Sequence, residues 1–269
     1  MKTNLSSALL DEICWKHLST LPYFRGMLRA VEHSLYARFE LPAPILDIGA
    51  GDGNFAAALG SGANSLGVDP WFAPIQEAAG LGVYRLLVQA QGAALPVRDA
   101  SFPCALSNSV LEHIPDVQPV LDEICRALTS DGVFYFTVPN QRFKSDLWGS
   151  ALLNRLGLRS AANRYSVFFN RIARHYNLDA PDVWIARLKQ AGFAQVEYWN
   201  YFPVRAMRML ERGHAAGLPN LLWKKRFGKW VLFPRRGNPF LRYKRLRPLL
   251  DEPLCEDGTC TFFAARKSV

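Results

Sequence analysis

Cysteine is scarce in this sequence, and the cysteines that are present form no recognisable pair. The 269 residues include five cysteines, none of which belongs to a Cys-x-x-Cys motif. An odd number without such a motif indicates neither a disulfide framework nor a zinc site, so we expect no metal ion. Cys104 begins a predicted strand, and we expect it to be a buried core thiol rather than a nucleophile.

Long apolar runs are also missing. No stretch of the chain approaches the roughly 20 apolar residues that a membrane-spanning helix needs. The amino end lacks the basic start and apolar core of a secretion signal. Hydrophobic residues make up 49% of the chain, which is enough to bury the core of one α/β domain with additions. The sequence therefore predicts a cytoplasmic protein.

Acidic residues are absent from one long stretch. Between Arg212 and Leu250 there are eleven lysines or arginines and no aspartate or glutamate. The rest of the chain has 21 basic and 23 acidic residues, so the net charge of +9 comes from this stretch alone. Apolar side chains are interleaved with the cations: Leu221, Leu222, Trp223, Phe227, Trp230, Val231, Leu232, Phe233, Phe240 and Tyr243.

This mixture has three functional interpretations and one structural interpretation. Residues 221–247 suit an anionic membrane surface, a phosphate-bearing lipid or a nucleic acid. Alternatively, the aromatic side chains pack the segment onto the domain while the cations stay solvated. Among the partners we favour the membrane, which predicts a peripheral protein at its inner face, and nucleic acid is the less favoured partner.

Glycine is concentrated in one turn. Residues 45–55 read Ile-Leu-Asp-Ile-Gly-Ala-Gly-Asp-Gly-Asn-Phe, with glycine at the alternate positions Gly49, Gly51 and Gly53. An apolar strand precedes this turn, a helical stretch follows it, and a second apolar run ends at Asp69. Together they describe a nucleoside-binding βαβ unit. The alternative, a tight corner with no ligand, does not account for the acid at the end of the second strand.

The chemistry of a bound nucleoside explains these residue types. A Cβ at Gly49 or Gly51 would stand between the backbone and a ligand pressed against the turn, and glycine also permits positive φ. The two carboxylate oxygens of Asp69 can accept hydrogen bonds from both ribose hydroxyls.

The spacing Gly-x-Gly-x-Gly, led by Asp47, resembles that of class I S-adenosylmethionine-dependent methyltransferases of the type 11-like group. The dinucleotide fingerprint Gly-x-Gly-x-x-Gly is different. The resemblance is close over residues 44–140 and continues through the segments 94–102, 106–116 and 126–134, with weaker matches at 184–202 and 259–267.

The resemblance implies an α/β fold. We expect a Rossmann-like, seven-stranded, mostly parallel sheet with helices on both faces and an antiparallel last strand, with helical or irregular insertions at the substrate side. Apolar runs predict the seven strands at 44–48, 64–68, 84–89, 104–109, 133–138, 195–201 and 259–265. A helix between the fourth and fifth strands has one apolar face, with Asp116 as its expected cap and Gly132 after its expected end.

The predicted organisation places additions around this sheet. The pieces are an amino-terminal helical cap at 1–41, a cofactor-binding core at 42–140, a lid insertion at 141–179, completion of the core sheet at 180–202 and 258–269, and a basic aromatic insertion at 203–257. Both insertions follow carboxyl ends of strands, which form the ligand side of open α/β sheets. We therefore expect them to overhang the place of methyl transfer.

The resemblance also implies which residues bind the cofactor, S-adenosylmethionine. Asp47 and the backbone of the glycine turn line its methionine part, Asp69 holds the ribose, and Pro70 lies against the adenine. Gln91, followed by Gly92, stands where the family often has an aspartate for the adenine amine. The full predicted set is Asp47, Gly49, Ala50, Gly51, Gly53, Asp69, Pro70, Gln91, Gly92, Asn108 and Ser109.

The implied reaction is transfer of a methyl group to a small-molecule or lipid-linked acceptor, with oxygen the favoured atom. Alignment of the two reactants can supply much of the catalysis. A hydroxyl acceptor also needs a base, for which His113 is the first candidate and Glu112 the second. The alternatives are that this pair only secures its loop, that the protein is a non-catalytic binder or tether with this fold, or that it methylates RNA.

Overall fold

The computed structural model describes residues 4–60, 65–216 and 218–268 of the chain. Its centre is a seven-stranded sheet in the order β3-β2-β1-β4-β5-β7-β6. The strands are β1 (Ile45–Ile48), β2 (Ser65–Asp69), β3 (Leu86–Gln89), β4 (Phe102–Asn108), β5 (Leu128–Pro139), β6 (Phe193–Tyr201) and β7 (Cys260–Lys267). Neighbours from β3 to β5 run parallel, and β7 is antiparallel to β5. The predicted fold class and its seven strands are confirmed, although the predicted first residue of the second strand, Asn64, lies outside the described residues.

Twelve α-helices are assigned within the described residues. They are α1 (Ser7–Leu18), α2 (Tyr23–Tyr36), α3 (Asn54–Leu59), α4 (Phe72–Leu81), α5 (Gln118–Ala127), α6 (Gln141–Ser145), α7 (Trp148–Arg155), α8 (Arg159–Ala173), α9 (Pro181–Ala191), α10 (Val204–Ala216), α11 (Leu218–Phe227) and α12 (Tyr243–Leu246). None of these described helices is both long and apolar enough to cross a membrane.

The chain divides into two compact units. The sheet unit consists of Glu40–Gln141, Ala173–Trp199 and Cys260–Val269. The helical unit consists of Met1–Phe39, Arg142–Ile172 and Asn200–Thr259. Each is thus assembled from three separate stretches of the chain.

Aromatic side chains fill the core of the sheet unit. Phe136 on β5 stacks on Phe263 of β7 with ring centroids 4.7 Å apart, and Trp184 of α9 packs beside both rings. All three side chains are fully buried. Cys104 on β4 is also fully buried, and burial raises the pKa of its thiol to about 12, so the predicted buried thiol is confirmed. All five cysteines are among the described residues, and none forms a disulfide.

The predicted end of α5 is wrong. The helix stops at Ala127, and Leu128 already pairs with Phe102 of β4, so Gly132 lies inside β5 rather than after a helix. The register jumps to Cys104 paired with Val133, which leaves residues 129–132 as a bulge. The predicted cap is also absent, because α5 begins after Val117 and no side chain caps it.

The helical unit is organised around α1 and α2, which pack against each other. His17 of α1 and His33 of α2 are both buried, and their ring nitrogens Nε2 and Nδ1 lie 3.1 Å apart. Glu32 is also buried: Arg29 donates to it at 2.6 Å and the Tyr201 hydroxyl at 3.1 Å. The histidine pair therefore joins α1 to α2, and Glu32 joins α2 to Tyr201 of β6.

Candidate cofactor site

The glycine turn follows β1 directly and is closed by the neighbouring strand. The Gly49 and Ala50 N–H groups donate to the carbonyl oxygen of Val68 at 2.8 and 3.0 Å. Gly49, Gly51 and Gly53 all have positive φ, at 78°, 55° and 75°. The positive φ that the sequence predicted is confirmed. Residues with a Cβ rarely adopt such values, which favours glycine at these three positions.

Packing, and not only ligand access, explains why Gly49 is glycine. A Cβ at this position would clash with a methyl carbon of Val110, so the side chain of Val110 occupies the space. The predicted reason for this glycine is therefore incomplete. At Gly51, by contrast, the nearest atom to an added Cβ is a backbone oxygen 3.9 Å away. The open surface of the turn is thus at Gly51.

Asp69 ends β2, as predicted, and its carboxylate holds the turn in place. Gly51 N–H donates to Oδ2 at 3.0 Å, and Trp71 N–H donates to Oδ1 at 2.9 Å. A carboxylate has about four acceptor positions, so both oxygens can still accept hydrogen bonds from two hydroxyl groups. Pro70 is half-buried and Trp71 is exposed, so the chain after Asp69 also offers apolar surface.

Asp47 lies on β1 and is buried below the turn. Tyr84, just before β3, donates its hydroxyl to Oδ2 at 2.5 Å. Burial raises the pKa of Asp47 to about 7; the Tyr84 hydrogen bond lowers it and the charge of Asp69 raises it. Tyr84 was not predicted as a site residue, because the sequence pattern placed it in the third predicted strand, 84–89.

Asn108 and Ser109 end β4 at the same edge of the sheet. The Thr137 hydroxyl donates to Asn108 Oδ1 at 3.0 Å and accepts a hydrogen bond from the Ser109 N–H. The backbone of Ser109 is in the left-handed region. After β3, Gln91 is exposed and Gly92 is half-buried. The predicted residues therefore follow the carboxyl ends of the adjacent strands β3, β2, β1 and β4.

His113 and Glu112 form a short 3-10 turn after β4, Leu111–His113. The Nδ1 atom of His113 lies 3.0 Å from the Arg174 carbonyl oxygen, and its Nε2 lies 3.8 Å from Glu112 Oε1. His175 stands beside this pair, with its ring centroid 5.3 Å from that of His113. Burial and, to a smaller extent, the neighbouring His113 lower the pKa of His175 to about 3. His175 falls within the stretch predicted as a lid insertion, 141–179, and the sequence did not place it with the other two.

The helical unit contains a separate cavity of about 550 Å³. Glu211 on its wall accepts hydrogen bonds from Trp148 N–H, Gly149 N–H and the Tyr165 hydroxyl at 2.5, 2.9 and 2.6 Å. These bonds tie α7, α8 and α10 together. Apolar residues supply most of the wall: Pro22, Phe24, Phe168, Phe169, Ile172, Leu221 and Trp230. Two titratable side chains, Tyr165 and His214, also line this cavity.

Comparison with known proteins identifies the family. A family model described as a methyltransferase domain matches residues 21–198, well over half of the chain. The chain belongs to the methyltransferase-domain family. The resemblance to class I S-adenosylmethionine-dependent methyltransferases is thereby confirmed, and S-adenosylmethionine is the cofactor of this family.

Individual members of the methyltransferase family are distant from this chain. An uncharacterized methyltransferase from Mycobacterium sp. strain KMS is 34% identical over 125 residues, which cover 45% of this chain and 49% of that protein. The chain thus spans about half the length of such relatives. A malonyl-[acyl-carrier protein] O-methyltransferase from Geobacter sulfurreducens is 28% identical over 198 residues, covering 68% and 71% of the two chains.

Solved structures of methyltransferases share the fold. The crystal structure of an S-adenosylmethionine-dependent methyltransferase from Thermotoga maritima superposes with a TM-score of 0.54 at 16% identity, covering 88% of each chain. At this identity the match shows a common architecture and says nothing of the acceptor.

Proposed function

We propose that this protein is an S-adenosylmethionine-dependent methyltransferase that methylates an oxygen atom of an acceptor with an apolar portion. The observation that carries the proposal is the glycine turn, open at Gly51 and braced by Asp69, in a chain of the methyltransferase-domain family. The relative named as a malonyl-[acyl-carrier protein] O-methyltransferase supports oxygen as the acceptor atom.

The residues of the turn fit S-adenosylmethionine. Gly51 leaves space for the ligand at the turn, and Asp69 keeps acceptor positions for ribose hydroxyls. Asp47 adds a buried carboxyl group. In its anionic form this group would attract the positively charged methionine part of the cofactor. When bound, the cofactor supplies a methyl group on a positively charged sulfur, so the protein has mainly to align the acceptor with it. Base catalysis by His113 or Glu112 stays a prediction.

The cavity of the helical unit supports an apolar acceptor portion. Its volume lies in the range of small-molecule pockets, and aromatic and aliphatic side chains form most of its wall. The basic aromatic insertion supports an amphiphilic acceptor at a membrane, because large apolar side chains there are exposed beside the cations. These side chains are Leu221, Leu222, Trp223, Phe227, Phe233 and Phe240.

Transfer of tritium-labelled methyl groups into two acceptor mixtures tests the proposal. We expect label to enter a total lipid extract rather than a water-soluble metabolite extract. Ile172→Ser should reduce this transfer, whereas Leu158→Ser should not, because Ile172 lines the cavity and Leu158 is similarly exposed outside it (53% and 52%). Label that enters only the water-soluble mixture would show that the acceptor class is wrong. Label that resides on nitrogen would contradict oxygen as the acceptor atom.

A further inference from the structure

Three side chains that could ligate a metal meet in the sheet unit after β4. One ligand atom from each of Glu112, His113 and His175 lies within 4.8 Å of the others. A first-row divalent ion binds carboxylate oxygen and imidazole nitrogen at about 2.0–2.2 Å, so ligand atoms around it stand roughly 3–4 Å apart. Small side-chain rotations would therefore bring these three atoms onto one ion.

The backbone fixes the two segments that carry these side chains. The N–H groups of Tyr176 and Asn177 both donate to the Glu112 carbonyl oxygen, at 2.7 and 3.2 Å. The Asn177 side-chain amide donates to the carbonyl oxygens of Leu111 and Ile114 at 3.3 and 2.7 Å. These bonds flank the three side chains. They therefore hold together two chain segments that are about 60 residues apart in the sequence.

The orientation of His113 suits a ligand. A carbonyl oxygen only accepts hydrogen bonds, so His113 donates its Nδ1–H to Arg174, and the lone pair of the neutral ring is on Nε2. That atom faces Glu112 Oε1. A histidine whose other nitrogen donates to a backbone carbonyl is the usual arrangement at metal centres, where it fixes the ring and its tautomer.

We propose that Glu112, His113 and His175 bind one divalent transition-metal ion, of which Zn²⁺ is the representative. Two imidazoles and one carboxylate form the donor set of zinc sites that keep a position open for a further ligand. His113 is exposed, so an ion can enter from solvent and an added ligand can reach it. The proposal departs from the expectation, drawn from cysteine spacing, that no metal binds.

The role of the ion rests on the proposed function. An acceptor hydroxyl bound at the open position would lose its proton more readily, as metal-bound water does. Its proton would pass to solvent, and the oxygen would form a bond to the methyl carbon. The sulfur–methyl bond would break with its electron pair remaining on sulfur.

Isothermal titration calorimetry tests the site. The protein is first stripped of metal with a chelator and is then titrated with ZnCl₂. We expect one ion per chain, with binding at least about tenfold weaker in His175→Asn and in Glu112→Gln. The control His214→Asn removes a histidine of the helical unit and should bind Zn²⁺ as the wild type does. Circular dichroism checks that each variant is folded, and using two variants keeps the test valid if one is not.

Co²⁺ absorption gives an independent readout, because visible bands should appear with the wild type and weaken in both variants. Zn²⁺ binding that is absent, or unchanged in both folded variants, would overturn the proposal. S-adenosylmethionine binding by the metal-free protein is measured on the same samples. Cofactor binding without metal binding rejects only the metal site, whereas metal binding without cofactor binding rejects the proposed function and not the site.

Discussion

Asp47 carries its carboxyl group in a buried position between the Tyr84 hydroxyl and the charge of Asp69. Its pKa of about 7 in the folded protein lies well above the value of about 3.9 for an unfolded chain. The native state therefore binds more protons than the unfolded state between these two values. The resulting stabilisation is complete below about pH 4 and is lost as the pH rises through about 7.

Asp47→Asn should remove this pH dependence. The variant keeps a partner for the Tyr84 hydroxyl and carries no charge, so we expect it to exceed the wild type in free energy of unfolding by roughly 2–4 kcal/mol at pH 8 and to match it near pH 4. Urea unfolding of cofactor-free protein at several pH values measures the difference. Tyr84→Phe is the companion variant: it removes the hydrogen bond that lowers this pKa, so the loss of stability should continue to higher pH than in the wild type. Equal pH profiles for wild type and Asp47→Asn would contradict this account.

At the scale of secondary-structure elements, α1 and α2 share a buried pair of histidines. Burial lowers the pKa of His33 to about 4, with Lys16 adding to the effect and Glu12 opposing it. Burial, His33, Arg29 and Lys16 lower the pKa of His17 in that order. Both values lie below the usual 6.5, so the unfolded state binds more protons in this range. The stabilisation from this pair is complete above about pH 6.5 and is lost as the pH falls towards 4.

His33→Asn should make the helical unit less sensitive to acid. The asparagine amide can replace Nδ1 as the partner of His17 and does not titrate. Between pH 7 and 4 the wild type should lose roughly 3 kcal/mol more free energy of unfolding than the variant. Thermal unfolding followed by circular dichroism at pH 4, 5, 6 and 7 provides the comparison. A variant that loses as much stability as the wild type over this range would show that His33 is not held neutral.

At the scale of the whole molecule, the excess positive charge lies between Arg212 and Leu250, where several large apolar side chains are exposed beside the cations. We expect purified protein to cosediment with vesicles containing anionic lipid and not with neutral vesicles, and we expect salt to weaken the binding. Each cation near an anionic surface contributes about 1 kcal/mol, so glutamine at Lys224, Lys225, Arg226 and Lys229 should lower partitioning at least tenfold. Binding that is equal on neutral and anionic vesicles would reject an electrostatic membrane contact.

Much of this architecture follows from local sequence. Most strands contain a short apolar run, and the glycine turn and Asp69 occur where β1 and β2 end, so pattern and spacing located them. Other features depend on contacts between distant segments. Val110 decides the identity of Gly49, Tyr84 reaches Asp47, and backbone bonds near Glu112 bring His175 to His113. The end of α5 was missed because a bulge let β5 begin earlier than its apolar run. The predicted domain boundaries and the overhang of the insertions stay predictions.

Calorimetric titration with S-adenosylmethionine is the most direct test of the central claim, that the glycine turn and Asp69 bind this cofactor. We expect one molecule per chain, and Asp69→Asn should weaken binding by about 10- to 100-fold, because hydrogen bonds to a charged acceptor contribute about 1.5–3 kcal/mol. Asp131→Asn is the control, because it makes the same change at an exposed residue in the bulge at the start of β5. Asp131 has positive φ, which asparagine tolerates. Its affinity should equal that of the wild type. Absence of binding in the folded wild type, or equal affinity in both variants, would contradict the account.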